Sequence, residues 1–182
     1  LFTSTIENYY DINKKEKFQE LFGETYIGKN PTKFKNSYYI LRFNFSEIDT
    51  TNEETTIKGF QKKVTSSVKM FVEKYKLDFY INPEDEAENI LNNLIKAFNI
   101  QKADKKIYVI IDEYDHFANE LLGFKTDHFK NLVSKNGKVR KWYEILKEGT
   151  ESVVDRIFIT GVAPITLDSL TSGFNIGSDK TQ

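Results

Sequence analysis

Apolar positions along the chain switch between helical and strand periods. Over residues 1–22, Phe2, Ile6, Tyr9, Tyr10, Phe18, Leu21 and Phe22 recur at helical spacing, with a break expected at residues 11–13. Gly23 fits a helix stop, and a polar loop through Pro31 and Asn36 follows. Residues 38–45 (YYILRFNF) are aromatic and partly β-branched, with Leu41, Phe43 and Phe45 alternating, which predicts a strand. Thr51-Asn52-Glu53-Glu54 has the form of a capping box, in which the threonine hydroxyl takes a free helix amide while Glu54 reaches back. Behind it Ile57, Phe60, Val64, Val68, Phe71 and Tyr75 keep helical period over five turns. A second helix start is expected at Asn82-Pro83, with asparagine as cap and proline where its missing N–H does no harm. Ala87, Ile90, Leu91, Leu94, Ile95 and Phe98 would form its buried stripe.

Residues 107–111 (IYVII) are a continuous apolar run between Lys105-Lys106 and Asp112-Glu113, the pattern of a parallel strand covered on both faces. Helical spacing follows from about His116 to Leu146, interrupted near Gly123 and at Asn136-Gly137. A last short run, Ile157 to Ile159, with Val153 and Val154 as candidate first residues, ends in Thr160-Gly161. The order helix, strand, two helices, strand, helices, strand predicts an α/β fold. Its sheet would be mainly parallel, sandwiched between helical layers and joined by right-handed crossovers. Chemistry in such sheets collects at the carboxyl ends of strands, which singles out Asp112, Glu113 and Thr160.

Composition narrows the function classes. The 182 residues suit a single domain with room for a real core. Twenty-six basic against 27 acidic side chains, evenly spread, argue against a nucleic-acid binder held by phosphate neutralisation. The absence of cysteine excludes disulfides and thiolate metal sites and permits a reducing compartment, so a cytoplasmic location is expected. No apolar run reaches 18 residues, so no membrane span is expected. The aromatic content of 14% would serve a core or a protein partner equally well.

Residues 107–113 have the form of a Walker B element, an apolar strand with two carboxylates at its tip. Asp112 would be fixed against hydrated Mg²⁺, while Glu113 would orient and deprotonate a water for attack on a γ-phosphoryl group. Alternation along the strand would make the two face differently. Asp115 fits a helix cap better than a metal ligand. His116 and His128, the two histidines, lack metal-ligand spacing and carry no catalytic role. Thr160 would occupy a sensor position, where a hydroxyl reads the γ-phosphate. Residues 23–30 (GETYIGKN) match G-x-x-x-x-G-K, yet Asn30 lacks the hydroxyl that would bind Mg²⁺. The segment also follows a helix and runs into Pro31, instead of following a strand and opening a helix, so it is read as an ordinary loop. A Walker B without a Walker A suggests that a phosphate loop precedes Leu1 and opens the helix of residues 1–10.

Residues 1–11 (LFTSTIENYYD), 20–27 (ELFGETYI), 39–46 (YILRFNFS), 107–115 (IYVIIDEYD), 157–165 (IFITGVAPI) and 172–180 (SGFNIGSDK) occur in that order. The series resembles the predicted AAA-ATPase-like family, in which an NTPase domain often precedes a domain related to PD-(D/E)xK nucleases. The resemblance implies a P-loop NTPase-like three-layer sandwich lacking its P-loop strand, with Asp112 as the Mg²⁺-associated acid. It also implies Glu113 as the water-activating acid, Thr160 as a sensor-like residue, and Mg²⁺ and ATP as cofactor and partner of the intact protein. The phosphate-binding R-x-x-F-G-K-[ST] segment would lie just upstream of Leu1. Residues 1–182 are therefore expected to be one partial domain that binds ATP poorly by itself. Two other readings stand beside this one. Asp-Glu-Tyr-Asp at 112–115 also fits the DExD box of a superfamily 2 helicase core, and a degenerate NTPase acting as a protein-binding scaffold would look similar.

Overall fold

The computed structural model describes residues 2–82, 84–114 and 137–161. Three strands, β1 (Tyr38–Asn44), β2 (Lys106–Asp112) and β3 (Val154–Ile159), form one sheet in the order β1-β2-β3. Both pairings are parallel, with Arg42 opposite Ile110, Asn44 opposite Asp112 and Ile111 opposite Ile159. The described chain is thus α/β with a parallel sheet, as its run of apolar strands and helical crossovers predicts. Because β2 is central and covered on both faces, Ile107–Ile111 are all buried.

Strand alternation sorts the side chains between two helical layers. Leu41, Phe43 and Phe45 of the β1 segment, with Ile107, Val109 and Ile111 of β2, face the larger core. That core is closed by α4 (Glu53–Tyr75), α5 (Ala87–Gln101) and the next described helix, α6 (Lys138–Gly149). Trp142 of α6 meets Phe43 edge-on at 4.8 Å, Phe60 of α4 stacks on Phe45, and Phe98 of α5 meets Tyr39. The α5 stripe is the one its spacing predicts: Ala87, Ile90, Leu91, Leu94, Ile95 and Phe98 are all buried. Each large apolar side chain buried there contributes on the order of 2 kcal/mol, which outweighs the weak intrinsic stability of a 15-residue helix.

The other face of the sheet carries Tyr38, Ile40, Tyr108 and Ile110 under α1 (Phe2–Tyr10), with Ile6 and Tyr10 packed onto them. A 3₁₀ turn (Ile12–Lys17) and two short helices, α2 (Phe18–Phe22) and α3 (Tyr26–Lys29), follow α1. The break expected at residues 11–13 is real, and Asp11 makes it by accepting the Asn13 amide at 2.9 Å.

Two helix starts differ from their sequence expectation. The cap of α4 is Asn52 rather than Thr51, and Thr55 closes the box by accepting the Asn52 N–H. Glu54 does not reach back; it pairs with Lys58 one turn ahead at 2.5 Å. The second helix begins at Ala87, not at Asn82-Pro83, with Glu86 in the cap position and no side-chain cap bond. Asn82 instead folds its side chain onto the Glu84 N–H at 3.2 Å, an Asx turn that competes with helix initiation.

The G-x-x-x-x-G-K look-alike at 23–30 differs from the ordinary loop expected of it, because Tyr26–Lys29 form the short helix α3. Thr25 caps α3 by accepting the Gly28 N–H at 3.1 Å. Gly28 packs so closely on α2 that an added Cβ would lie 1.6 Å from the Phe22 carbonyl oxygen. Its glycine therefore serves packing, not phosphate approach. Among the described residues no helix is long and apolar enough to cross a membrane. Asp115, His116, His128, the interruption near Gly123 and the 172–180 motif lie outside the described residues.

Candidate active site

The strand tips bring together the three residues singled out by the sequence. Asp112 ends β2 with its side chain on the α1 face, and Thr160 follows β3 directly. The Thr160 hydroxyl donates to Asp112 Oδ1 at 2.5 Å, a contact between residues 48 positions apart. The backbone stitches the same corner: the Thr160 N–H donates to the Ile111 carbonyl at 2.9 Å and the Tyr114 N–H to the Thr160 carbonyl at 3.1 Å. Glu113 sits between these anchors with φ of 53°, the left-handed region that non-glycine residues rarely adopt. Strand geometry stops there, so Glu113 points to solvent while Asp112 turns onto the α1 face. The Glu113 N–H makes a long contact to Thr160 Oγ1 at 3.4 Å.

Two further partners of Asp112 come from elements whose chemistry is silent in the sequence. Thr3 of α1 donates to Oδ2 at 3.2 Å, and Arg42 of β1 donates to the same oxygen through Nη2 at 3.0 Å. Arg42 is the one charged side chain in the β1 run, and that anomaly was the available signal. Thr3 offered none beyond its place on α1. Burial alone would raise the Asp112 carboxyl, but the hydrogen bonds from Thr160, Arg42 and Thr3, with the Arg42 charge, outweigh it. The group is held below its ordinary value.

Arg42 also opens onto a chain of charges along the β1 edge. Its Nη1 lies 3.6 Å from Glu7, Glu7 lies 2.8 Å from Lys74, and Lys74 lies 2.7 Å from the fully buried Asp11. Burial would lower the Lys74 ammonium, but Asp11 and Glu7 outweigh that cost and hold it above its usual range. Tyr75 completes the network by donating to Asp11 Oδ1 at 2.9 Å and accepting the Ile40 N–H at 2.8 Å. That last bond occupies a free amide of an edge strand.

The donor set suits a hard cation. Asp112 supplies anionic oxygen, and the Thr3 and Thr160 hydroxyls supply neutral oxygens beside it. Among the described residues no three His, Cys, Asp or Glu side chains gather into a metal-binding group. One carboxylate with hydroxyls matches the way Mg²⁺ is held jointly by protein and phosphate oxygens. A separate cleft of about 500 Å³ lies among the first turns of α4, α5 and α6, lined by Glu53, Glu54, Lys58, Glu86 and Lys138 among others. Its ammonium groups are paired within it, Lys58 with Glu54 and Lys138 with Glu86, and the three carboxylates disfavour a polyphosphate there.

No curated protein matches the chain, and no solved structure matches it. The model of the family described as Predicted AAA-ATPase matches residues 1–171, and the chain belongs to this AAA-ATPase-like family.

Proposed function

We propose that the tips of β2 and β3 form the acidic side of an ATP-hydrolysing site on a P-loop NTPase-like sheet. Asp112 would hold Mg²⁺, Glu113 would activate water and Thr160 would act as sensor. The observation that carries this reading is the 2.5 Å contact between Thr160 and Asp112 across neighbouring strand tips, with solvent-facing Glu113 next in the chain. Membership of the AAA-ATPase-like family supports nucleotide binding.

Asp112 would hold Mg²⁺, whose charge would offset that of the transferring phosphates. Asp112 remains ionised at neutral pH and presents its oxygens from a rigid strand end. Thr160 fixes the rotation of that carboxylate through Oδ1, and as a sensor its hydroxyl would turn from Asp112 to a γ-phosphate oxygen. Glu113 is free to take the proton of the attacking water as its oxygen bonds to phosphorus and the bond to the ADP oxygen breaks. Residues 23–30 take no part in phosphate binding. ATP binding would need a phosphate-binding loop opening a helix, which residues 23–30 do not supply. A cytoplasmic setting, rich in Mg²⁺ and ATP, is part of the same reading. In a chain carrying such a loop, Asp112→Asn should lower turnover about 100-fold and raise the Mg²⁺ needed for half-maximal rate. Turnover and Mg²⁺ dependence both unchanged would remove Asp112 from the role.

A further inference from the structure

Asp112 already has a cation against it. Oδ2 receives Arg42 Nη2 at 3.0 Å and Thr3 Oγ1 at 3.2 Å, and Oδ1 receives Thr160. A carboxylate offers about four acceptor positions, so these three leave little room. The three donors differ in what they can share. A threonine hydroxyl rotates, and it can turn a lone pair toward a metal while staying beside the carboxylate. A guanidinium has no lone pair and carries like charge, so it is the one contact a divalent cation cannot share.

Arg42 also has a second seat. Glu7 Oε2 lies 3.6 Å from Nη1, a different nitrogen from the one that meets Asp112, and Glu7 is anchored by Lys74 at 2.8 Å. Arg42 can therefore give up Asp112 without becoming an uncompensated, half-buried charge. Its side chain is 34% exposed, which leaves room for that small swing.

We infer that Arg42 is a positioning residue that occupies the cation seat at Asp112, and that a divalent cation gains the seat by moving the guanidinium onto Glu7. This inference rests on the reading of Asp112 as the metal-side acid. It makes Arg42 a brake on metal loading, so that cation binding at the strand tip is coupled to the Glu7–Lys74–Asp11 chain along the β1 edge.

The test uses Mn²⁺ alone, without nucleotide, titrated into the chain while free Mn²⁺ is followed by electron paramagnetic resonance. Arg42→Gln should bind Mn²⁺ roughly three- to tenfold more tightly, the range expected for removing a like charge at a partly exposed site. Arg42→Lys, which keeps the charge, should show no such gain, and Arg42→Gln/Asp112→Asn should lose it. Glu7→Gln should weaken Mn²⁺ binding, and more so with Arg42 present than in the Arg42→Gln background. Circular dichroism and thermal midpoints confirm folding of each variant. Should Arg42→Gln not fold, Glu7→Gln decides alone, and unchanged Mn²⁺ affinity there overturns the inference. If Arg42→Gln binds no more tightly while Asp112→Asn still weakens binding, the brake is wrong and the role of Asp112 survives. If Asp112→Asn has no effect in either background, both fall.

Discussion

Thr160→Val keeps the shape of the side chain and deletes one hydroxyl, so it isolates the contact that joins β3 to the tip of β2. The lost bond, 2.5 Å to an ionised acceptor, belongs to the class that contributes about 1.5–3 kcal/mol. The Asp112 side chain is 22% exposed, and water can replace part of that bond, which brings the expected cost at neutral pH to about 1–2 kcal/mol. For a domain of this size the thermal midpoint should drop by roughly 3–6 °C. The pH dependence carries the sign. Asp112 is held below its ordinary value in the folded chain, so its contribution is complete above the unfolded value of about 3.9 and is lost as pH falls through the folded one. The cost of Thr160→Val should therefore stay constant from pH 7 to about pH 4 and shrink below that. Urea unfolding across this range measures the cost, and a carboxyl-carbon titration of Asp112 should show its midpoint rising in the variant. A cost equal at pH 3 and pH 7, with an unmoved Asp112 midpoint, would show that the Thr160 hydroxyl does not stabilise the ionised carboxylate.

Tyr75→Phe should cost about 2–4 kcal/mol in urea unfolding, because it strands the Ile40 N–H and removes a donor from buried Asp11. Burial pushes the Tyr75 phenol above its ordinary value, so the cost should be the same at pH 7 and pH 9 and shrink once pH passes the unfolded value of about 10; a cost that grows with pH contradicts this. Gly28→Ala should cost about 1–3 kcal/mol, since the new methyl group meets the Phe22 backbone and not a flexible side chain. Its signature is faster amide exchange at Lys29 and Asn30, whose N–H groups bond within α3; unchanged protection there would contradict the packing role.

The sequence carried the framework far because periodicity reports burial directly. The α4 and α5 stripes and the doubly covered β2 run are the same residues that close the larger core. Both capping errors come from local polar chemistry that spacing does not resolve. Asn52 and Thr51 compete for one role, and Asn82 satisfies its own turn rather than a helix. That Asp112, Glu113 and Thr160 meet at one end of the sheet was legible, because all three follow or end apolar parallel strands. Thr3, Arg42 and Glu7 were not. Their meeting depends on how α1 crosses the sheet, and no spacing within the chain encodes a contact between residues 39 and 109 positions apart. The left-handed backbone at Glu113 was equally silent, since glutamate is not a residue that advertises positive φ.

The proposed site depends on Glu113 as the water-activating carboxylate next to Asp112. Glu113→Gln in a chain carrying the phosphate loop tests it most directly, with ATP binding and single-turnover hydrolysis measured on the same sample. The account predicts retained ATP affinity and hydrolysis lowered by about 100-fold or more. Turnover equal to that of the unsubstituted chain would contradict it.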